Sequence, residues 1–477
     1  MVGELAGSHL RSGSILRRPR VLVMIDQATR DAYSQLLVVR YLRSKGVRVF
    51  ICNQVTWPAA WERYRPDVVF ISWLGGLLPY IRKMKHQAEI VLIDHEGGRL
   101  GEIPFKRGFQ RFNDDKAELG RHCSLAVIFG PIHKKWLQEI GLLAPEKILV
   151  TGSPRLDPYL DKSRSNARRY IGFTLRADAI TSDPGKFVEN LFVFASRDPR
   201  DWISLGYSPS AQQEDRVWHI TATLRYMLKI MIEVRKRSDI PIVVRPGPWE
   251  QHGLYDFLPQ RLKGLTVEPR TPQPEYVRGA FAVVDESSSL GLEALLAGTP
   301  VISTHSLIPN LAERIGGSED AGLFNAPYKK AYYRPFSVEE AATLLIKAAN
   351  GELSTTPDDQ AHQAMMEYLA DYHYWPRSRP SSFQIGDAII DLAKRRILSE
   401  PEPVPEPSVE RTSYENLKAT IFRCVPGSVH GLKALLFLRL LFSKDRQHLR
   451  KYHYMSLFYR NKRGVWNLFQ SLNSEFD

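Results

Sequence analysis

Cysteine is scarce in this chain: three in 477 residues, Cys52, Cys123 and Cys424, widely spaced and without a C-x-x-C pair. That usage excludes a disulfide framework and a cysteine-built zinc site, and it suits a reducing compartment. No window approaches the ~20 uncharged apolar residues of a membrane-spanning helix. The residues before Arg17-Arg18-Pro19-Arg20 are basic in part but lack an apolar core, so no signal peptide is expected. There is no G-x-x-x-x-G-K-[ST] loop, and no G-x-G-x-x-G turn follows the first strand. Nucleoside-triphosphate hydrolysis and dehydrogenase chemistry therefore have no support. Nothing has metal-ligand spacing, so neither a metal nor another resident cofactor is expected. The isolated His133, His219 and His305 are expected to be structural or surface residues.

What is present in excess is positive charge. The 65 Lys and Arg outnumber the 52 Asp and Glu, a net charge of +13. The apolar runs are short, uninterrupted and regularly spaced. Residues 20–26, 47–52, 66–72, 89–94, 125–130 and 147–152 read as buried strands, with a helix over 30–45 closed by Gly46. Strands apolar on both faces, alternating with helical segments, predict a parallel sheet covered on both sides. Residues 154–185, rich in Arg, Asp and Pro, read as a connection. The pattern then restarts with strands at 191–196, 241–245, 265–268, 281–284 and 301–303 and helices at 213–236 and 338–350. The expected fold is α/β, with two similar halves facing each other across a cleft.

The expected organisation is a flexible N-terminus (1–19), a first α/β domain (20–172), a second (173–352) and helices packing back on the core (353–399). A Pro-rich linker (400–410) and a basic amphipathic helical tail (411–477) follow. Residues 411–477 carry twelve Lys or Arg against four Asp or Glu, interleaved with Tyr452, Tyr454, Phe458, Tyr459 and Trp466. Such a tail suits an anionic membrane surface, or else a small bundle packed on the rest of the chain or on a partner. No nucleic-acid recognition motif accompanies the charge, so nucleic acid is not an expected partner.

Four constellations lie at strand ends, where ligands of such sheets bind. In Asp94-His-Glu-Gly-Gly-Arg99, Glu96 is the leading candidate for a general base, ahead of Asp94 and His95. Gly97 and Gly98 let a substrate approach, and Arg99 is a substrate-side cation or a partner of Glu96. In Val150-Thr-Gly-Ser-Pro-Arg-Leu-Asp157, Arg155 can clamp an anion or pair with Asp157. In Val243-Val-Arg-Pro-Gly-Pro-Trp-Glu250, Arg245 again ends a strand, and Gly247 leaves room for a ligand. The fourth is Asp285-Glu-Ser-Ser-Ser-Leu-Gly-Leu-Glu293. Three hydroxyls, Ser287, Ser288 and Ser289, stand where a helix offers unpaired N–H groups, which suits phosphate. Glu293 falls four residues after Ser289, one too far for a capping box, and suits ribose hydroxyls or a solvent-facing position.

Taken together, Ile93–Gly97, Ala126–Gly130 with His133-Lys134, Val150–Asp157, Val243–Pro246 and Ser287–Pro300 resemble bacterial surface-carbohydrate biosynthesis proteins of the GT-B glycosyltransferase class. The turn at 94–99 and the serine pair are similar to those of sialyltransferases and Kdo transferases, which use CMP-activated acidic sugars. The resemblance covers about residues 20–350 and implies two Rossmann-like domains. It also implies a nucleotide-sugar donor, a glycan or lipid-linked acceptor, Glu96 as catalytic carboxylate and Ser287–Ser289 around the CMP phosphate. The scarce cysteines and the basic tail add the expectation of a cytoplasmic position on the inner membrane face, and of polysaccharide-assembly partners there. Two positions depart from the family pattern: His95 where a second acid is usual, and Gly247-Pro248 where His-Pro is usual. The serine segment is shared with sugar-nucleotide epimerases and glycerophosphate polymerases. An epimerase, a CDP-glycerol-type transferase or an inactive binding scaffold on the same fold are therefore the alternatives.

Overall fold

The computed structural model describes residues 17–25, 32–53, 56–73, 77–84, 86–94, 102, 105–106, 113–161, 167–175, 211–247, 255–268, 271–285, 288–311 and 327–399. Cys424, the spacer and the basic tail lie outside them.

The first half alternates strictly. It runs β1 (Arg20–Met24), α1 (Ala32–Ser44), β2 (Arg48–Cys52), α2 (Trp57–Tyr64), β3 (Val68–Ser72) and α3 (Leu78–Met84), then β4 (Glu89–Ile93), α4 (Asn113–His122), β5 (Leu125–Ile128), α5 (Pro131–Glu139) and β6 (Ile148–Val150). The six strands pair in parallel in the order β2-β1-β3-β4-β5-β6. Because side chains alternate across a strand, each apolar run feeds two cores. Leu22, Met24, Val69, Ile71 and Leu92 face Trp57, Trp61 and Trp136. Val21, Val23, Phe70, Val91 and Ile93 face Val38, Leu42, Ile385 and Ile389 on the other side.

The second half comprises β7 (Tyr170–Leu175), α6 (Ala211–Arg237), β8 (Ile242–Pro246), α7 (Leu258–Arg261), β9 (Leu265–Val267) and α8 (Gln273–Gly279), then β10 (Ala280–Val284), α9 (Leu290–Leu296), β11 (Val301–Ile302) and α10 (Val338–Ala349). Its parallel sheet has the order β11-β10-β7-β8-β9.

Here the sequence reading needs correction. The central strand of this sheet is β7, inside the segment read as a connection, so a boundary at 172/173 cuts through a strand. Gly172 and Thr174 break its apolar run, and Gly172 has a packing reason. A Cβ there would come within 2.8 Å of the Tyr276 hydroxyl, which donates to the Phe173 and Val243 carbonyls. The strand expected at 191–196 lies outside the described residues.

Two last helices, α11 (Asp359–His373) and α12 (Ser381–Ser399), return to the first half. Tyr372 meets His133 and Trp136 on α5, and Gly130 lets the α11 backbone approach where any Cβ would clash with Asp371 and Tyr372. Tyr41 of α1 stacks on Phe383 at 4.4 Å and donates to Asp387 at 2.6 Å.

The anchor of α12 is Asp157. Its carboxylate accepts from Arg377 at 2.6 Å and from the backbone N–H groups of Ser381 and Ser382, both at 2.8 Å. It thus serves as a helix cap supplied from more than two hundred residues away. Arg377 and Asp157 are 2% and 6% exposed, and a Cβ at Gly152 would lie 2.6 Å from both the Arg377 guanidinium and the His373 carbonyl, which keeps that position small. Removing one partner of a buried pair costs about 3–5 kcal/mol. Asp157→Ala should lower the unfolding free energy by about that much in urea titrations; near-wild-type stability would refute the anchor.

Candidate active site

The order of the second sheet reverses direction between β7 and β10, the place where such sheets open a crevice at their strand ends. Asp285 leaves β10 there and is fully buried. It is held by the Thr174 hydroxyl from β7 and, at 3.3 Å, by the Tyr332 hydroxyl. Gly291 makes this possible, since a Cβ would lie 1.9 Å from the Tyr332 oxygen and 2.6 Å from Asp285 Oδ2. The buried carboxylate therefore braces the end of β10 against β7 and Tyr332.

Past the brace, the hydroxyls divide their work. Ser288 Oγ accepts from the Leu290 N–H at 3.0 Å, a turn contact. Ser289 stands at the N-cap of α9, yet its hydroxyl makes no capping bond. It accepts instead from Arg155 Nη1, 2.8 Å away, on the segment that follows β6 of the other half.

Glu293, one turn into α9, is 1% exposed, which excludes a solvent-facing position. Its Oε2 accepts from the Tyr159 hydroxyl at 2.9 Å. Its Oε1 lies 3.9 Å from Arg155 Nε and has no hydrogen-bond partner. Burial raises the Glu293 pKa, opposed by Arg155, Tyr159 and Arg245. The same desolvation pushes Tyr159 upward, and Glu293 adds to it.

These groups line a cavity of about 30 Å³ between the halves, with Ser34, Phe129 and Ser153 on one side and Ser289 and Glu293 on the other. Arg155 crosses it. A cation, a hydroxyl and a buried acceptor meeting at two sets of strand ends can receive a phosphate together with a neighbouring hydroxyl.

Several residues singled out from sequence stand elsewhere. Arg155 does not pair with Asp157, which is taken by Arg377 and α12. Arg245 donates to the Thr271 carbonyl and lies over the Tyr276 ring at 5.4 Å. Burial lowers its pKa, and it does not line the cavity. Asp94 is half-buried at the end of β4, and Gly247 half-buried after β8. His95, Glu96, Gly97, Gly98, Arg99 and Ser287 fall outside the described residues. His133 is buried among Phe105, Trp136 and Tyr372. Among the described residues, no group of three or more His, Cys, Asp or Glu is placed to hold a metal ion.

Tyr159 and the bracing role of Asp285 went unread. A lone tyrosine in a Pro-flanked stretch has no periodic signature, and nothing local links it to Glu293, 134 positions away.

No family profile and no curated protein matches the chain. Among solved structures, the wall teichoic acid polymerase TagF (H548A) aligns with a TM-score of 0.50 and 11% identity, covering 80% of this chain and 90% of that one. MnaA of S. aureus with UDP aligns at 0.45 and 14% identity, covering 81% and 100%. The calicheamicin glycosyltransferase CalG4 aligns at 0.41 and 12%, covering 80% and 99%. The fold is α/β with two parallel-sheet domains in the GT-B arrangement.

Burial makes the Glu293 carboxyl bind its proton more tightly in the folded chain than in the unfolded one. Its contribution to stability is full below the ordinary Glu value of 4.5 and is lost as pH rises through the raised one. Glu293→Gln keeps an acceptor for Tyr159 and removes that loss. Thermal melts from mildly acid to neutral pH should show the variant gaining on wild type as pH rises. A constant difference would contradict the assignment.

Proposed function

We propose that the protein is a nucleotide-sugar-dependent glycosyltransferase of surface-carbohydrate assembly. The observation that carries this reading is the 2.8 Å contact between Arg155 of one half and Ser289 of the other, inside the cleft. The departing nucleotide phosphate gains negative charge as the glycosidic bond breaks. A guanidinium and the Ser289 hydroxyl, meeting at one point in the closed cleft, would stabilise that charge. The Glu293 oxygen that lacks a hydrogen-bond partner supplies an acceptor for a ribose hydroxyl. Acceptor activation falls to Glu96, which follows β4 by three positions and would take the proton of the attacking hydroxyl.

Parting of the two halves would admit the donor, and their closure afterwards would exclude water and align the reactants. The resemblance of the 94–99 and 287–300 segments to Kdo and sialic-acid transferases favours a CMP-linked acidic sugar. The basic, aromatic tail at 411–477 would hold the enzyme on the cytoplasmic face of the membrane, near a lipid-linked or growing glycan.

Nucleotide-dependent melting separates this reading from its rivals on the same fold. CMP or CDP should raise the melting temperature, and Glu96→Gln should keep that shift while losing at least a hundredfold in turnover, the low end of general-base catalysis. A shift with UDP alone would point to an epimerase-like donor site. Wild-type turnover in Glu96→Gln would remove the base.

A further inference from the structure

The strand-start edge of the first sheet, opposite the edge that carries the cavity, collects positive charge. β1 and β2 open on Arg20 and Arg48, which are register partners. Arg18 precedes β1, Lys45 follows α1, and Arg63 and Arg65 close α2 just before β3. Arg18, Lys45, Arg48, Arg63 and Arg65 are all exposed; Glu62 is exposed beside them, and the partly exposed Asp387 of α12 lies within electrostatic reach of Lys45. Asp67, on the same edge, is buried and paired with Arg17 at 2.7 Å.

Two ordinary explanations fall short. Cations favour helix C-termini, and the helices of such a fold end on this edge. Yet further along the same edge, around β4 to β6, cations are matched: Arg82 pairs with Glu118, and Lys106 with Glu139. Charged residues also keep an edge strand from pairing with another sheet. That accounts for Arg48 but not for Lys45, Arg63 and Arg65, which lie on helix ends.

The arrangement is also ordered. Arg48 lies over the Phe50 ring at 5.7 Å, Phe50 stacks on Tyr64 at 3.9 Å, and Arg63 lies over Tyr64 at 5.4 Å. Arg65 adopts φ 41° with its N–H on the Trp61 carbonyl, a helix-end position that glycine takes at lower cost. The charge is local too. Residues 411–477 hold eight of the thirteen net positive charges, leaving five for the preceding 410 residues. This corner alone shows five exposed cations beside exposed Glu62 and partly exposed Asp387.

We propose that this edge is a docking face for anionic lipid headgroups, a contact made by the folded domain in addition to the basic tail. Phe50 and Tyr64 spend their faces on each other and on two guanidiniums rather than offering them to bases, as single-stranded nucleic-acid sites do. The cations come from separate helix ends and strand starts, a spread of point charges suited to a surface of many phosphates. α12 brings exposed Lys394 and Arg395, with exposed Asp391 one turn earlier, to the same edge, where Arg396 donates to the His86 carbonyl just ahead of β4. The Pro-rich spacer follows α12 in sequence, so headgroup contacts by edge and tail would reinforce each other as linked sites do. The inference does not depend on the sugar-nucleotide reading, because vesicle binding is measured without nucleotide.

The test uses the full chain in flotation with phosphatidylcholine vesicles, with and without phosphatidylglycerol. Arg48→Gln/Arg63→Gln/Arg65→Gln is compared with Lys236→Gln/Arg261→Gln/Lys263→Gln, which removes equal charge from exposed positions of the second half. Melting temperatures check that both variants fold. Each cation near an anionic surface is worth roughly fivefold in binding, so the edge variant should lose roughly a hundredfold on phosphatidylglycerol vesicles and the control only a few-fold. Equal losses in the two variants, or no binding of the wild type to phosphatidylglycerol, would overturn the proposal. So would an edge variant that keeps vesicle binding but loses retention on RNA or heparin.

Discussion

One buried carboxylate holds this molecule in register. Asp157 caps α12 and pairs with Arg377, fastening the last described helix of the chain to the last strand of the first sheet. The consequence reaches the cleft, because Arg155 sits two residues earlier on the same short turn. With Asp157 fixed, the Arg155 side chain is aimed away from it and across to Ser289. The motif reads as a single polar cluster in sequence, but it is divided between two tasks. Its acid builds the scaffold and its base builds the site.

That division explains how the site is kept precise. Asp285, Thr174 and Tyr332 fix the end of β10, from which the serine segment departs, and Gly291 leaves space for the brace. Tyr159 and Arg155 reach Glu293 from the first half. A carboxylate with so little exposure raises its own pKa and weakens the fold as pH rises, a cost that functional sites commonly carry.

Most of the architecture was legible because the strands are apolar on both faces and bounded by polar turns. β3, with all five residues buried, is the clearest instance. β7 was not legible, since Gly172 and Thr174 interrupt it for reasons that lie in Tyr276 and Asp285, both distant in sequence. At the site, Ser289, Glu293 and Arg155 were identified as candidates, but their convergence was not. Arg155 has Asp157 as a local rival partner, and only the return of Arg377 and α12 removes that rival. Arg245 shows the reverse: a strand-end arginine of the right kind, held by the Thr271 carbonyl and the Tyr276 ring.

We propose that Arg155 and Ser289, from opposite halves, act on one phosphate. A double-mutant cycle on nucleotide affinity, with Arg155→Ala, Ser289→Ala and the pair, measures this directly by calorimetry. Each single loss should cost about 1.5–3 kcal/mol. The double variant should fall short of their sum by at least about 0.5 kcal/mol, the mark of groups sharing a partner. Strict additivity, or nucleotide affinity unchanged in either single variant, would contradict the account.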